Sequence, residues 1–327
     1  MSEFTCAPIL LIGFNRPDFM AAQIAAVREA RPLKLYVAVD GPRPDRPDEA
    51  EKCRAVRDCV KLVDWPCEVK TLFHDENLGC KYAPARAIDW FFENEESGII
   101  LEDDTQPSPC FFRFASEMLS HYRNDERVGM ISGFNFFGLQ SDAAASYHFS
   151  RIAMMSGGWA TWRRVWRFYD IKMREYLPRL DEIMSRTPMT NYFRRTFKMK
   201  AQRALVRRDV WDYQFTLMMF ARSLLGVVPR VQLVSNNGIT VSDATHTGGY
   251  NYYAPRFANA GSLEFPLVHP TEVVCDEWAD RRREQMEGAI FPRGLTWLGC
   301  KLPWLTPLLS TAGGIVERRL PILFRCP

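Results

Sequence analysis

The chain has no Cys-x-x-Cys pair, and its nine cysteines (6, 53, 59, 67, 80, 110, 275, 300 and 326) follow no regular spacing. That argues against a secreted disulfide scaffold and against a thiolate zinc site; reduced thiols of a cytoplasmic protein fit better. No apolar stretch reaches the roughly 20 residues that a membrane span needs. The start does not read as a signal peptide, because Met1–Thr5 has no basic residue and Asn15-Arg16-Pro17 interrupts the apolar run Ala7–Gly13. Neither sign of charge dominates: 42 Lys and Arg face 39 Asp and Glu, for a net +3. That excess is too small to imply a nucleic-acid partner. Internal repeats and low-complexity tracts are missing too. What is present is ordinary for a packed protein, 47% hydrophobic and 25% charged over 327 residues. Disorder, collagen and porin-like chains are excluded.

The first hundred residues alternate between short apolar runs and helix-like segments. Pro8–Gly13, Leu35–Val39, Glu68–Phe73 and Gly98–Leu101 read as strands. Phe19–Ala30, Ala50–Val63 and Lys81–Glu95 read as helices between them. Continuous apolar strands joined by helices predict a parallel sheet covered on both faces. In open sheets of this kind ligands bind beyond the carboxyl ends of the strands. Three of these strands end in polar residues: Asn15-Arg16, Asp40 and Glu102-Asp103-Asp104. The second half is less regular. Arg127–Ser132, Ser146–Met155 and Val227–Val234 suggest strands, Trp159–Tyr169 and Asp209–Leu225 suggest helices, and Arg174–Asp209 reads as mostly helical. Arg194–Arg208 carries seven basic residues and no acid, which suits a solvated face, an anionic ligand or a membrane surface. Ser235–Ala254 is polar and Gly-rich, with the length of a functional loop.

Glu102-Asp103-Asp104 is the strongest chemical signal. Three adjacent carboxylates repel one another unless a cation is present. A hard divalent ion such as Mn²⁺ or Mg²⁺ takes oxygen ligands and is held by one or two carboxylates plus substrate phosphates. Such an ion stabilises a diphosphate leaving group. The plainer alternative is an acidic helix start, with Asp104 or Ser108 capping Pro109–Tyr122.

The blocks PILLIGFNRPD, VAVDGP, HDENLG and GIILEDD, in that order, resemble the nucleotide-binding half of a GT-A-fold glycosyltransferase of the family-2 and N-acetylglucosaminyltransferase I types. The resemblance covers residues 6 to 250 in separated blocks. It implies an α/β, Rossmann-like, mostly parallel sheet flanked by helices, with a helical acceptor-side region and a C-terminal extension. By position, Asp104 would bind the metal, Asp103 the ribose or a metal-bound water, and Glu102 would support both and border the sugar and acceptor pocket. Arg16 and Asp40 would contact the base, unless they simply pair with each other. Asn77 and Gly79 would line the nucleotide pocket. Gly158 and Trp159, within SGGWATW, and Trp211 resemble the sugar and acceptor pocket of such enzymes; the alternative is that the tryptophans belong to the core. Asp212 would be the general base that takes a proton from the acceptor hydroxyl. His246, in a Thr-His pair, would complete the metal shell or touch the diphosphate.

The expected function is therefore metal-dependent, inverting transfer of a sugar from a nucleoside diphosphate sugar, UDP or dTDP before GDP. The acceptor would be a hydroxyl on a glycan, a lipid-linked molecule or a protein, in bacterial glycan or glycoconjugate synthesis. Alternatives are a sugar nucleotidyltransferase, against which Gly13-Phe14-Asn15-Arg16-Pro17 offers only one glycine, and an inactive binding protein of the same fold. The expected organisation is a nucleotide-sugar-binding half (1–135), an acceptor or catalytic half (136–260) and a C-terminal extension (261–327). Within the extension, Gly294–Pro327 mixes Trp297, Trp304 and leucines with basic residues, a pattern suited to an anionic bilayer or to folding back onto the core. A cytoplasmic protein, with peripheral contact at the inner membrane as a variant, is expected.

Overall fold

The computed structural model describes residues 4–135, 145–152, 154–155, 158–206, 210–236 and 259–290. The chain is a mixed α/β, Rossmann-like protein built on one eight-stranded sheet. Its first half alternates β1 (Ile9–Gly13), α1 (Pro17–Ala30), β2 (Lys34–Val39), α2 (Glu49–Asp58), β3 (Glu68–Phe73), α3 (Gly79–Asn94) and β4 (Ser97–Glu102). Then come β5 (Thr105–Pro107), α4 (Pro109–His121), β6 (Val128–Ser132), β7 (Tyr147–Ser150), β8 (Trp159–Trp162) and α5 (Arg163–Trp166). The described part continues with α6 (Leu180–Arg186), α7 (Asn191–Val206), α8 (Asp212–Ala221), β9 (Leu225–Pro229), β10 (Val234–Asn236) and α9 (Glu277–Ile290).

The strand order is β3-β2-β1-β4-β8-β6-β9-β7. The first four run parallel, β8 is antiparallel to both its neighbours, β6 and β9 are parallel, and β7 is antiparallel to β9. Ile9, Leu10, Leu11, Ile99, Ile100 and Leu101 are fully buried, because helices cover both faces of these central strands. The helices obey the same burial. Pro17 stands at the first turn of α1, where its missing N–H costs nothing, and Met20, Gln23, Ile24 and Val27 form the buried stripe.

Three expectations are corrected. Trp159–Trp162 is a strand, not the start of a helix: its register against Ile100 and Ser132 wedges it between β4 and β6, and extended backbone is the only conformation that completes both ladders. Val227–Val234 is two elements, β9 in the main sheet and β10, which pairs with β5 in a separate ribbon. Ser146–Met155 shortens to β7. The described part of the C-terminal extension is anchored to the sheet. Asp280, in α9, accepts hydrogen bonds from Ser150 Oγ (2.6 Å) and Arg151 N–H (3.2 Å), and Phe149 bridges to Cys275. Among the described residues no helix is long and apolar enough to cross a membrane. The tail 294–327 lies outside the described residues.

Candidate active site

The parallel strands deliver their C-terminal ends to one edge. There β4 ends at Glu102, Asp103 and Asp104 make the turn, and β5 leaves as half of the ribbon with β10. The acidic triple is therefore not a helix cap. Ser108 occupies the cap position of α4, and its hydroxyl makes no hydrogen bond. The ribbon pairs Asn236 with Thr105, so the chain leaves β10 beside the acidic turn. His246 follows ten residues on and lies outside the described residues.

The turn is held from below by a residue the motif reading missed. Gln23 of α1 is fully buried. Its Nε2 donates to Glu102 O, Thr105 O (3.1 Å) and Thr105 Oγ1 (3.0 Å). Thr105 Oγ1 in turn donates to Glu102 O (2.7 Å). The available sequence signal was a glutamine inside an apolar helical stripe, a position where burial demands a hydrogen-bond partner.

The carboxylates pay electrostatically for their closeness. Burial first, then repulsion from Asp104, pushes Asp103 up to about 7; Arg16 and the Phe14 backbone N–H pull the other way. The Arg16 guanidinium stands 3.9 Å from Asp103, so its partner here is Asp103 and not Asp40. Glu102 is raised as well, by burial and then by Asp104, Asp103 and Asp212. The last contribution joins two parts of the chain more than a hundred residues apart. Asp212 is the first residue of α8, half-buried, with its Oδ1 accepting the Tyr213 N–H (3.0 Å). A helix N-terminus favours the negative charge.

Trp159 and Trp211 explain that placement and correct the expected pocket role. They are 1% and 6% exposed, which leaves no ring face for a sugar. Trp159 stacks on Trp211 at 6.0 Å and meets Phe215 of α8 at 5.2 Å. Tyr169 Oη donates to Trp211 O (3.1 Å). This aromatic cluster fastens the start of α8 to β8, the strand that pairs with β4. Gly158 does lie at the edge. Its φ is +96°, and a Cβ there would come 2.9 Å from Leu101, a backbone shape and a closeness that favour glycine.

Asp40 is employed differently from the expectation. It is buried, its Oδ1 accepts the N–H groups of Gly41 (2.9 Å) and Leu78 (2.9 Å), and its Oδ2 accepts Gly79 N–H (3.0 Å) and Asn77 Nδ2 (2.9 Å). Four donors fill the acceptor capacity of a carboxylate, so no site remains for a base N3–H. Asp40 instead builds the Asn77–Gly79 turn and caps α3, with Asn77 also donating to Gly41 O (2.9 Å). Gly79 takes a φ of +77°, and a Cβ on Gly41 would stand 2.4 Å from the Glu76 backbone. Beside this turn lies a second group that the motifs did not flag. Glu49 is buried, accepts Asn15 Nδ2 (3.2 Å), and binds Arg43 through its backbone N–H (3.1 Å) and guanidinium. Arg43 sits 5.6 Å over the Phe14 ring.

Among the described residues, no three His, Cys, Asp or Glu side chains form a ready-made metal cage. Asp103 and Asp104 nonetheless offer carboxylate oxygens, the donor type that a hard divalent ion takes. A depression of about 530 Å³ lies elsewhere, lined by residues including His121, Asp125, Arg127 and Glu272, and shares no residue with this edge.

No family model matches the chain, and no curated protein does. Solved structures similar in fold include the glycosyltransferase GlyE of Streptococcus pneumoniae TIGR4, at 9% identity and TM-score 0.37 over 77% of this chain. The chain spans 59% of that protein's length. Others are the inositol-1-phosphate CTP transferase of T. maritima, at 11% identity and TM-score 0.34 over 70% of this chain and 86% of that one, and HddC of Yersinia pseudotuberculosis, at 10% identity and TM-score 0.32 over 48% and 77%.

Proposed function

We propose that the chain is a metal-dependent, inverting glycosyltransferase that moves a sugar from a nucleoside diphosphate sugar, UDP or dTDP, to an acceptor hydroxyl. One observation carries the reading: Trp159 pairs with Ile100 of β4 and stacks on Trp211, which fastens the start of α8, with Asp212, near the strand that ends in Glu102-Asp103-Asp104. On this reading the acidic turn is the cation site and Asp212 is a separate carboxylate base on the same side of the sheet. Asp104 and Asp103 would hold Mn²⁺ or Mg²⁺, with His246 as a further candidate ligand. That ion would supply charge neutralisation on the diphosphate leaving group. Glu102 shapes the turn, and Gln23 and Thr105 fix its backbone. Asp212 accepts the proton of the acceptor hydroxyl as its oxygen attacks the anomeric carbon. A single displacement with one base inverts the configuration. Arg16 anchors Asp103 beside the β1 loop, and the Asn77–Gly79 turn, set by Asp40, borders the nucleotide. Base contacts fall to Phe14, Asn15 and Arg43 in place of Asp40.

The test is thermal melting with UDP, dTDP, GDP and CDP, each with and without Mn²⁺, because a ligand that binds only the folded state raises the midpoint. A shift that requires both the metal and one nucleotide is expected. Asp212→Asn should keep that shift and lose transfer by about 10²-fold or more. Normal transfer by this variant sinks the base assignment. Pyrophosphate release from a nucleoside triphosphate and a sugar phosphate would replace the reading with a nucleotidyltransferase.

A further inference from the structure

The ends of α3 and α7 meet beside the candidate site and leave an unusual surface. Lys81, in the first turn of α3, is buried, and its Nζ donates to Ala204 O (2.7 Å) and Leu205 O (3.2 Å). A cation on the last carbonyls of a helix satisfies both the orphan acceptors and the dipole. The junction is therefore a built contact. Around it Leu78, Tyr82, Leu205 and Val206 are exposed, Val206 at 82% and Tyr82 at 45%. Large apolar side chains grouped at one rim mark an interaction surface more often than scattered single ones do.

Charge identifies what the surface fits. Over Asn191–Val206, α7 carries Arg194, Arg195, Lys198, Lys200 and Arg203 and no acid. Asp181 of α6 pairs with Lys198, and Arg194 donates to Met189 O (2.9 Å); Arg195 is exposed. On α3, Arg86 is exposed one turn beyond Tyr82. Asp75 and Glu76, upstream of Leu78, are exposed acids, so the positive field comes chiefly from α7. Apolar tips beside a cationic helix are complementary to a bilayer with anionic headgroups, the tips entering the acyl boundary and the cations facing phosphate.

We propose that the joined ends of α3 and α7 form a docking surface for an anionic phospholipid membrane. The position gives this a purpose within the proposed reaction. Leu78 belongs to the turn that Asp40 holds, and Asp212 lies six residues beyond Val206. A membrane seated here brings the hydroxyl of a membrane-anchored acceptor to the base. The docking itself does not depend on that activity and is tested without it.

The experiment is co-sedimentation of the full chain with phosphatidylcholine vesicles and with vesicles containing about one third phosphatidylglycerol. The wild type should pellet with the anionic vesicles, lose binding as salt rises, and stay in the supernatant when the vesicles are neutral. Leu205→Ser with Val206→Ser should weaken binding about tenfold or more. Arg195→Glu, which changes two charges, should weaken it by roughly fivefold per charge. Val206→Phe should tighten it. All three side chains changed here are exposed, and unchanged melting temperatures establish that the variants are folded. Wild type that ignores anionic vesicles overturns the proposal. So does equal binding by wild type and the serine variant, which would move the contact to another part of the chain. If the serine variant converts a dimer to a monomer and no vesicle binding occurs, the surface seats a second copy and the proposal fails. None of these outcomes touches the nucleotide and metal melting test, so the two readings fail separately.

Discussion

Replacing Asp103 by asparagine should make the metal-free protein more stable at pH 8. Asp103 is held at about 7 in the fold against an ordinary value of 3.8. Between those values the unfolded chain has already released the proton that the folded chain retains. Stability therefore falls as pH rises from about 4 to about 7 and stays low above it. A displacement of roughly 3 pKa units corresponds to an upper bound of about 4 kcal/mol. The side chain keeps 18% exposure, and water and local relaxation reduce the effect, so ~1–3 kcal/mol is the working range. Asparagine retains an acceptor for the Phe14 N–H and gives up only the long 3.9 Å contact with Arg16. At about 2–4 °C per kcal/mol, the variant should melt roughly 2–12 °C above wild type at pH 8. The gap should close at pH 4, where both side chains are neutral. Melting curves in EDTA from pH 4 to 8 measure this directly. A variant that melts no higher than wild type at pH 8, or a gap that persists at pH 4, refutes the claim that the acidic turn is electrostatically strained. Adding Mn²⁺ at pH 8 should stabilise wild type more than the variant, because the cation relieves the same repulsion.

Asp40→Asn should lower the melting temperature by about 3 °C or more, with or without nucleotide, since an amide nitrogen would face N–H donors and leave them unpaired at about 1–3 kcal/mol; melting within about 1 °C of wild type would show that the four-donor arrangement does not hold the Asn77–Gly79 turn. Gln23→Met should cost only ~1–2 kcal/mol, because Glu102 O keeps its bond from Thr105 Oγ1 and the unpartnered Gln23 Oε1 disappears. The same variant should nevertheless weaken metal-dependent nucleotide binding, measured by calorimetry, and unchanged binding would remove Gln23 as the residue that positions the acidic turn.

Much of the fold was legible in the chain itself. Runs such as ILLIG and GIIL can be buried on both faces only in a covered parallel sheet, and the polar residues closing them stand together at the carboxyl ends of its strands. The same logic located Glu102-Asp103-Asp104, because adjacent carboxylates after an apolar strand have few stable explanations. The errors have a common cause. Trp159–Trp162 was read as helical because local pattern does not register two waiting strand edges. Trp159 and Trp211 suggested a pocket wall, whereas aromatic composition is the same for a wall and a core. Asp40 suggested a base contact because sequence does not count the donors that converge on a carboxylate.

Most of the local arrangement of strands and helices was thus determined by short-range periodicity, which the sequence carries, with Trp159–Trp162 and the split between β9 and β10 as the exceptions. Contacts across long separations were decided only by the tertiary structure: Gln23 beneath Glu102 and Thr105, Trp159 against Trp211 at the start of α8, Lys81 on the end of α7. Each depends on the packing of side chains distant in the chain, and no pattern within a window of residues encodes which distant surface will meet it.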